Sequence, residues 1–245
     1  MQAKDRLILA LDVDTMAEAQ WLVEQTEGFV GVYKVGMQLY NNEGPAVIRW
    51  LMARGEKVFA DLKFHDIPNT VAQAGEVMTG HGVFMYNVHC AGGREMLSKT
   101  TQATQTKAQK LGSQQPLVIG VTILTSLDQQ AVNNEVGLAG TVQDNVVKYA
   151  RMAQECGLNG VVASPKEITA IREACGPEFV LVIPGIRPQW AAANDQKRIM
   201  TPAAAIAAGA TYIVVGRPIT GAADPGQAAS LVVGEITTGQ GNLLN

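Results

Sequence analysis

Apolar residues in this chain fall into short unbroken runs, and between the runs they recur every three or four positions. The unbroken runs predict strands at 7–13, 31–36, 57–63, 85–90, 116–124, 160–164, 179–184 and 212–216. Continuous rather than alternating hydrophobicity is what parallel strands show when both faces of their sheet are covered. The intervening periodicity predicts helices at 16–26, 44–54, 70–80, 93–110, 141–156, 165–174, 202–208 and 225–235. Pro165, Pro202 and Pro225 stand where three of these begin, a position that tolerates the missing N–H. The polar stretch 126–140 reads as an irregular loop or short helix, and 239–245 as a frayed tail.

Eight strand–helix units in 245 residues predict an α/β fold, a single (β/α)₈ TIM barrel spanning residues 1–245 as one domain. A doubly wound open sheet is the alternative. It normally carries a glycine fingerprint after its first strand, whereas here that strand runs into Asp12-Val13-Asp14-Thr15.

Composition narrows the functional classes. The 19 Lys and Arg against 22 Asp and Glu give a net charge of −3, with the basic residues scattered, so no nucleic-acid footprint is expected. An anionic ligand must then be held by local groups. Cys90, Cys156 and Cys175 show no CxxC spacing and read as reduced thiols of a cytoplasmic protein. The N-terminus lacks an export pattern, and no apolar stretch is long enough for a membrane span. His65, His81 and His89 have no metal-ligand spacing, so no metal is expected.

Barrel enzymes place their chemistry at the C-terminal ends of the strands. The residues predicted there are Asp12, Lys34, Asp61, Lys63 and, just beyond, Asp66. Spacing of two along a strand aims Asp61 and Lys63 the same way. Carboxylates beside an ammonium keep it protonated, and a protonated lysine can neutralise and then protonate a developing carbanion. A salt-bridge network at the rim is the plainer reading. The predicted loops after strands seven and eight carry Gly185, Arg187, Gln196, Gly216 and Arg217, the position and residue types of a phosphate site. Thr122, Thr125 and Ser126 close the fifth strand as candidate contacts to a substrate base or as a simple turn.

The segment Asp61-Leu62-Lys63-Phe64-His65-Asp66-Ile67-Pro68-Asn69-Thr70-Val71 closely resembles the signature of the orotidine 5′-monophosphate decarboxylases of bacterial type. Leu9-Ala10-Leu11-Asp12, Tyr33-Lys34-Val35-Gly36, Asn87-Val88-His89, Leu124-Thr125-Ser126, Pro184-Gly185-Ile186-Arg187, Ala193-Asn194-Asp195-Gln196 and Val214-Val215-Gly216-Arg217 agree in order and spacing. The resemblance implies decarboxylation of orotidine 5′-monophosphate (OMP) to UMP in pyrimidine biosynthesis, without metal or organic cofactor. It implies Lys63 as proton donor to C6, flanked by Asp61 and Asp66, with Asp61 near the substrate carboxylate. Lys34 and Asp12 would bind the ribose hydroxyls, Thr125 the pyrimidine region, and Arg187, Gln196, Gly216 and Arg217 the phosphate. It further implies a homodimer in which Asp66 and Thr70 reach across the interface. Two alternatives stand beside it: a Mg²⁺-dependent sugar-phosphate decarboxylase or aldolase resembling hexulose-phosphate synthase, and a non-catalytic nucleotide-binding barrel.

Overall fold

The structure, a computed structural model, describes residues 1–191 and 200–241. Its strands are Leu7–Ala10 (β1), Val32–Gly36 (β2), Val58–Phe64 (β3), Met85–His89 (β4), Leu117–Val121 (β5), Gly160–Val162 (β6), Val180–Ile183 (β7) and Tyr212–Val215 (β8). They form a closed barrel in the order β1 to β8. The helices are Met16–Thr26 (α1), Met37–Glu43 (α2), Ala46–Ala53 (α3), Pro68–Gly80 (α4), Gly93–Leu111 (α5), Gln129–Asn134 (α6), Val142–Glu155 (α7), Ile168–Cys175 (α8), Pro202–Ala207 (α9), Arg217–Thr220 (α10) and Pro225–Gly241 (α11). The alternation of strands and helices, with strand closure, is the (β/α)₈ architecture that the apolar runs predict. No helix among the described residues is long and apolar enough to cross a membrane.

The chain divides into two compact units, Met1–Leu62 with Ile183–Asn245, and Lys63–Val182. In the first, β1 pairs in parallel with β2 (Ile8 opposite Val32) and with β8 (Leu9 opposite Val215), and β2 pairs with β3 (Gly36 opposite Asp61). Leu7, Ile8, Leu9, Val35 and Val215 are buried completely, which is why β1 and β2 read as unbroken apolar runs. Thr15 caps α1 in a reciprocal capping box with Glu18, satisfying donors that the first helical turn leaves unpaired. In the second unit β4, β5, β6 and β7 pair in parallel order, again around fully buried residues such as Met85, Ile119, Val161 and Leu181. Thr141 caps α7 through the Asp144 amide.

Several boundaries differ from expectation. The predicted helix at 44–54 is α3, Ala46–Ala53, and a further helix, α2, precedes it over Met37–Glu43, the two separated by Gly44, whose φ is +61°, and Pro45. The start of α2 has no mark in the sequence, because it follows β2 directly at Gly36 and has no capping side chain. The first strand ends at Ala10 rather than 13, and the fifth spans Leu117–Val121 rather than 116–124. Pro165 opens a 3₁₀ turn, Pro165–Glu167, before α8. The stretch 126–140 contains α6, capped by Asp128. The last helix continues to Gly241, so the part of the expected frayed tail that is described is helical.

Candidate active site

Alternation along β2 orients the first candidate lysine. Tyr33 points toward α1, where its hydroxyl meets Thr26 Oγ1 at 3.1 Å. Thr26 already donates to the Leu22 carbonyl, so the phenol proton is shared between Thr26 Oγ1 and the Val23 carbonyl at 3.4 Å. The neighbouring Lys34 therefore projects from the opposite face of the sheet. Its ammonium donates to Asp12 Oδ1 at 2.9 Å and lies 3.3 Å from Asp61 Oδ2. The Lys34 side chain is 9% exposed and that of Asp61 14%, against 58% for Asp12. A cation this deeply placed needs pairing, and two carboxylates supply it.

The segment carrying Asp12 is pinned from several sides. The Leu11 amide donates to the Lys34 carbonyl, Gln38 Nε2 to Asp14 Oδ1, Asn42 Nδ2 to the Asp14 carbonyl, and the Met16 amide to Glu43 Oε1. A side chain at Gly36 would place its Cβ 3.1 Å from Lys34 Nζ and 3.3 Å from Asp12 Oδ1, so a glycine there leaves room for the ion pair.

After β7 the chain turns at Gly185, whose φ is +74°. Ile186 then forms a parallel bridge with Met200, and the Arg187 amide donates to the Met200 carbonyl. The Gln189 amide donates to Glu235 Oε1 of α11 at 3.2 Å. Burial pushes the Glu235 carboxyl above its ordinary range, and the Gln189 N–H opposes that rise. Arg187 and Arg217, with Trp190, Ala191, Pro218, Gly221 and Ala222, line a cavity of about 350 Å³. Gly216 and Arg217 form the start of α10. Two guanidinium groups at one cavity suit an anion with several acceptor oxygens. Gln196 lies outside the described residues.

In the unit Lys63–Val182, Lys63 has φ +52°, the one non-glycine residue in the left-handed region among the described residues. The pleat-based expectation that Asp61 and Lys63 face the same way assumed extended backbone at both. At Lys63 that premise fails, so the pleat alone does not set its side-chain direction. The Lys63 amide donates to Asn87 Oδ1 at 2.8 Å, and the His65 and His89 rings lie 5.3 Å apart. Asp66 accepts from the Ile67 amide with Oδ1, which fixes the turn into α4. Asp66, Ile67 and Thr70 are all exposed on this chain, Ile67 by 68%. Thr125 and Ser126 are both exposed, whereas Thr122 is buried and donates to the Val162 carbonyl at 2.9 Å. Thr122 is thus satisfied by the fold.

Asn87 and Gly36 were quoted from the sequence only as parts of longer motifs. A single Asn or Gly inside an apolar run carries no spacing pattern that names its role. Trp190 and Glu235 had no signal at all, since each matters through a contact distant in sequence. Cys90 is fully buried, and burial pushes its thiol up to about 12, so it offers no thiolate nucleophile at neutral pH. Among the described residues no group of three or more His, Cys, Asp or Glu is placed to hold a metal ion.

The model of the "Orotidine 5'-phosphate decarboxylase / HUMPS family" matches residues 5–232. An orotidine 5'-phosphate decarboxylase of Syntrophomonas wolfei is 53% identical over 237 residues, 96% of this chain and 99% of that protein. One of Moorella thermoacetica is 51% identical over 236 residues, 96% of this chain and 94% of that protein. The crystal structure of the Lactobacillus acidophilus orotidine 5'-phosphate decarboxylase superposes with a TM-score of 0.84 at 34% identity, covering 94% of this chain and 98% of that one. The match runs almost the full length of both the chain and its relatives, and this chain belongs to the orotidine 5'-phosphate decarboxylase / HUMPS family.

Proposed function

We propose that this chain decarboxylates orotidine 5′-monophosphate to UMP and CO₂ as a single barrel domain of residues 1–245, working as a homodimer. The observation that carries the reading is the buried Lys34 ammonium held between Asp12 and Asp61, in a chain that also holds Lys63, two residues after Asp61, in a left-handed backbone conformation. The curated relatives of this chain bear the decarboxylase name, which favours this activity over the other member class in the family description.

In this reading the bond from C6 to the carboxylate breaks and CO₂ leaves. The electron pair stays on C6, and the Lys63 ammonium delivers a proton to it. Water later returns a proton to Lys63. A cation beside the developing carbanion stabilises charge that exists only in the transition state. Asp61 is aimed at the substrate carboxylate and Asp66 flanks Lys63. Lys34 and Asp12 hold the ribose hydroxyls; Asp12, being exposed, has acceptor capacity left for one. Thr125, exposed at the end of the β5 segment, meets the pyrimidine. Arg187, Gln196, Gly216 and Arg217 take the phosphate, and the cavity between the two arginines supports that assignment. Asp66 and Thr70 act across the dimer interface, a reading supported by the exposed Ile67 that separates them.

The test is the ultraviolet absorbance of OMP with purified protein in excess EDTA. The expected result is an absorbance change with one UMP formed per OMP consumed. Activity that returns only with added Mg²⁺ would move the assignment to the metal-dependent sugar-phosphate enzymes. UMP binding without turnover would make the chain a non-catalytic nucleotide-binding barrel.

A further inference from the structure

We propose that Asn87 is a positioning residue for Lys63: its side-chain oxygen holds the lysine's backbone in the left-handed conformation from which the ammonium works. The proposal rests on the reading of Lys63 as proton donor.

Three observations on β4 and the end of β3 carry it. Asn87 is 0% exposed, and a buried amide is costly unless its polar atoms are matched. Its Oδ1 accepts the Lys63 amide at 2.8 Å. That amide belongs to the one described non-glycine residue with positive φ, a conformation that β-strand neighbours do not maintain and that persists only where surrounding contacts over-determine it. The strand pattern shows why Asn87 is available for this. Tyr86 faces α5, sharing a hydrogen bond with Thr104, so Asn87 and, two residues on, His89 occupy the other face. His89 meets the ring of His65 at 5.3 Å. Alternate residues of β4 thus brace alternate residues of the Lys63–His65 segment, Asn87 through the backbone and His89 through the ring. The backbone conformation of Lys63 sets the origin and direction of its Cα–Cβ bond, and so the region that the ammonium on its flexible four-carbon stem can reach.

The experiment measures kcat and KM for OMP, UMP affinity and thermal melting of full-length Asn87→Ala, with Lys63→Ala alongside. The expected result for Asn87→Ala is a fall in kcat of about 10- to 100-fold. KM and UMP affinity should stay within about threefold, because the groups proposed to bind ribose and phosphate are untouched. A general structural role would instead weaken UMP binding in step with kcat. Should Asn87→Ala fail to fold, Asn87→Ser keeps a small polar group in place while its hydroxyl falls short of the Lys63 amide, and the same split is expected. Wild-type kcat in a folded Asn87 variant, or a proportional loss of kcat and UMP affinity, overturns the proposal. If Lys63→Ala is itself active, the proton-donor reading has failed. If Lys63→Ala is inactive and the Asn87 variants run at full rate, only the role of Asn87 has failed.

Discussion

Strands β2 and β4 are built on the same local plan and put it to different uses. Each places a buried tyrosine toward a helix, Tyr33 on Thr26 of α1 and Tyr86 on Thr104 of α5. Each follows the tyrosine with a buried polar residue on the opposite face, Lys34 in one and Asn87 in the other. In β2 that residue is itself a charged group, matched by two carboxylates. In β4 it is neutral and spends its oxygen on another residue's backbone. In the proposed mechanism one strand presents chemistry directly, and the other supports the lysine that β3 presents. On that proposal a polar side chain in a barrel strand serves a site without offering a reactive group to it.

The largest effect should come from the residue that β4 supports. Lys63→Ala removes the proposed proton source, and general-acid catalysis by a positioned side chain is worth about 10²–10⁴-fold. Loss of at least about 10³-fold in kcat is expected, with a folded protein that still binds UMP. Mixing inactive Lys63→Ala and Asp66→Asn chains sharpens the result. If Asp66 acts in the partner's site, hybrid dimers contain one intact site and regain activity. Recovery that never appears, once subunit exchange is demonstrated, removes Asp66 from the partner's site.

Lys34→Met should be the next most damaging change, and damaging in another way. Methionine fills the space but removes the cation that Asp12 and the nearly buried Asp61 share. Removing one partner of a fully buried ion pair costs about 3–5 kcal/mol. Asp12 is largely solvated, so a loss nearer 2 kcal/mol is expected, the scale of a hydrogen bond to a charged group. Urea unfolding measures it. UMP affinity should fall together with kcat/KM by about tenfold or more. Lys34 is thereby distinguished from Asn87, whose loss should spare binding. Unchanged UMP affinity in Lys34→Met would erase the proposed contrast between the two strands.

The same contrast explains what could be read from the sequence. Eight apolar runs sufficed for the barrel, because parallel strands covered on both faces leave that mark in any order of residues. Lys34 and Asp61 were visible as charges that interrupt such runs at strand ends, where solvation alone would not place them. Asn87 interrupts its run as well, but its function depends on the φ of Lys63, a property fixed by tertiary contacts and absent from any spacing rule. For the same reason the period-two argument for Asp61 and Lys63 failed at its second residue. The helix α2 was missed because its first turn borrows no capping side chain, and Gly44-Pro45 marked a plausible start one element too late. Arg187 and Arg217 were legible as cations in glycine-containing loops, whereas Glu235 was not, since it reaches Gln189 from a helix 46 positions away in sequence.

The smallest expected effect lies on the helix-facing side of the plan, where the two strands should behave alike. Tyr33→Phe and Tyr86→Phe each remove one buried phenol donor while keeping the ring. Thr104 Oγ1 already donates to the Thr100 carbonyl, as Thr26 Oγ1 does to Leu22, so each threonine loses an incoming bond and keeps its own. About 1 kcal/mol each is expected at neutral pH, with kcat unchanged. Alkaline pH should then separate the variants from the parent. Burial raises both phenols above their ordinary value, so the unfolded chain releases these protons first. The stability they contribute is complete below the unfolded value of about 10 and is lost as pH rises toward the folded value. Each tyrosine steepens the alkaline decline by at most about 1.4 kcal/mol per pH unit. In Tyr33→Phe and Tyr86→Phe that contribution disappears, so unfolding free energy measured above pH 10 should fall less steeply in both. A shallower slope in only one would show that the tyrosine positions of β2 and β4 are not equivalent, and that the shared plan ends at the backbone.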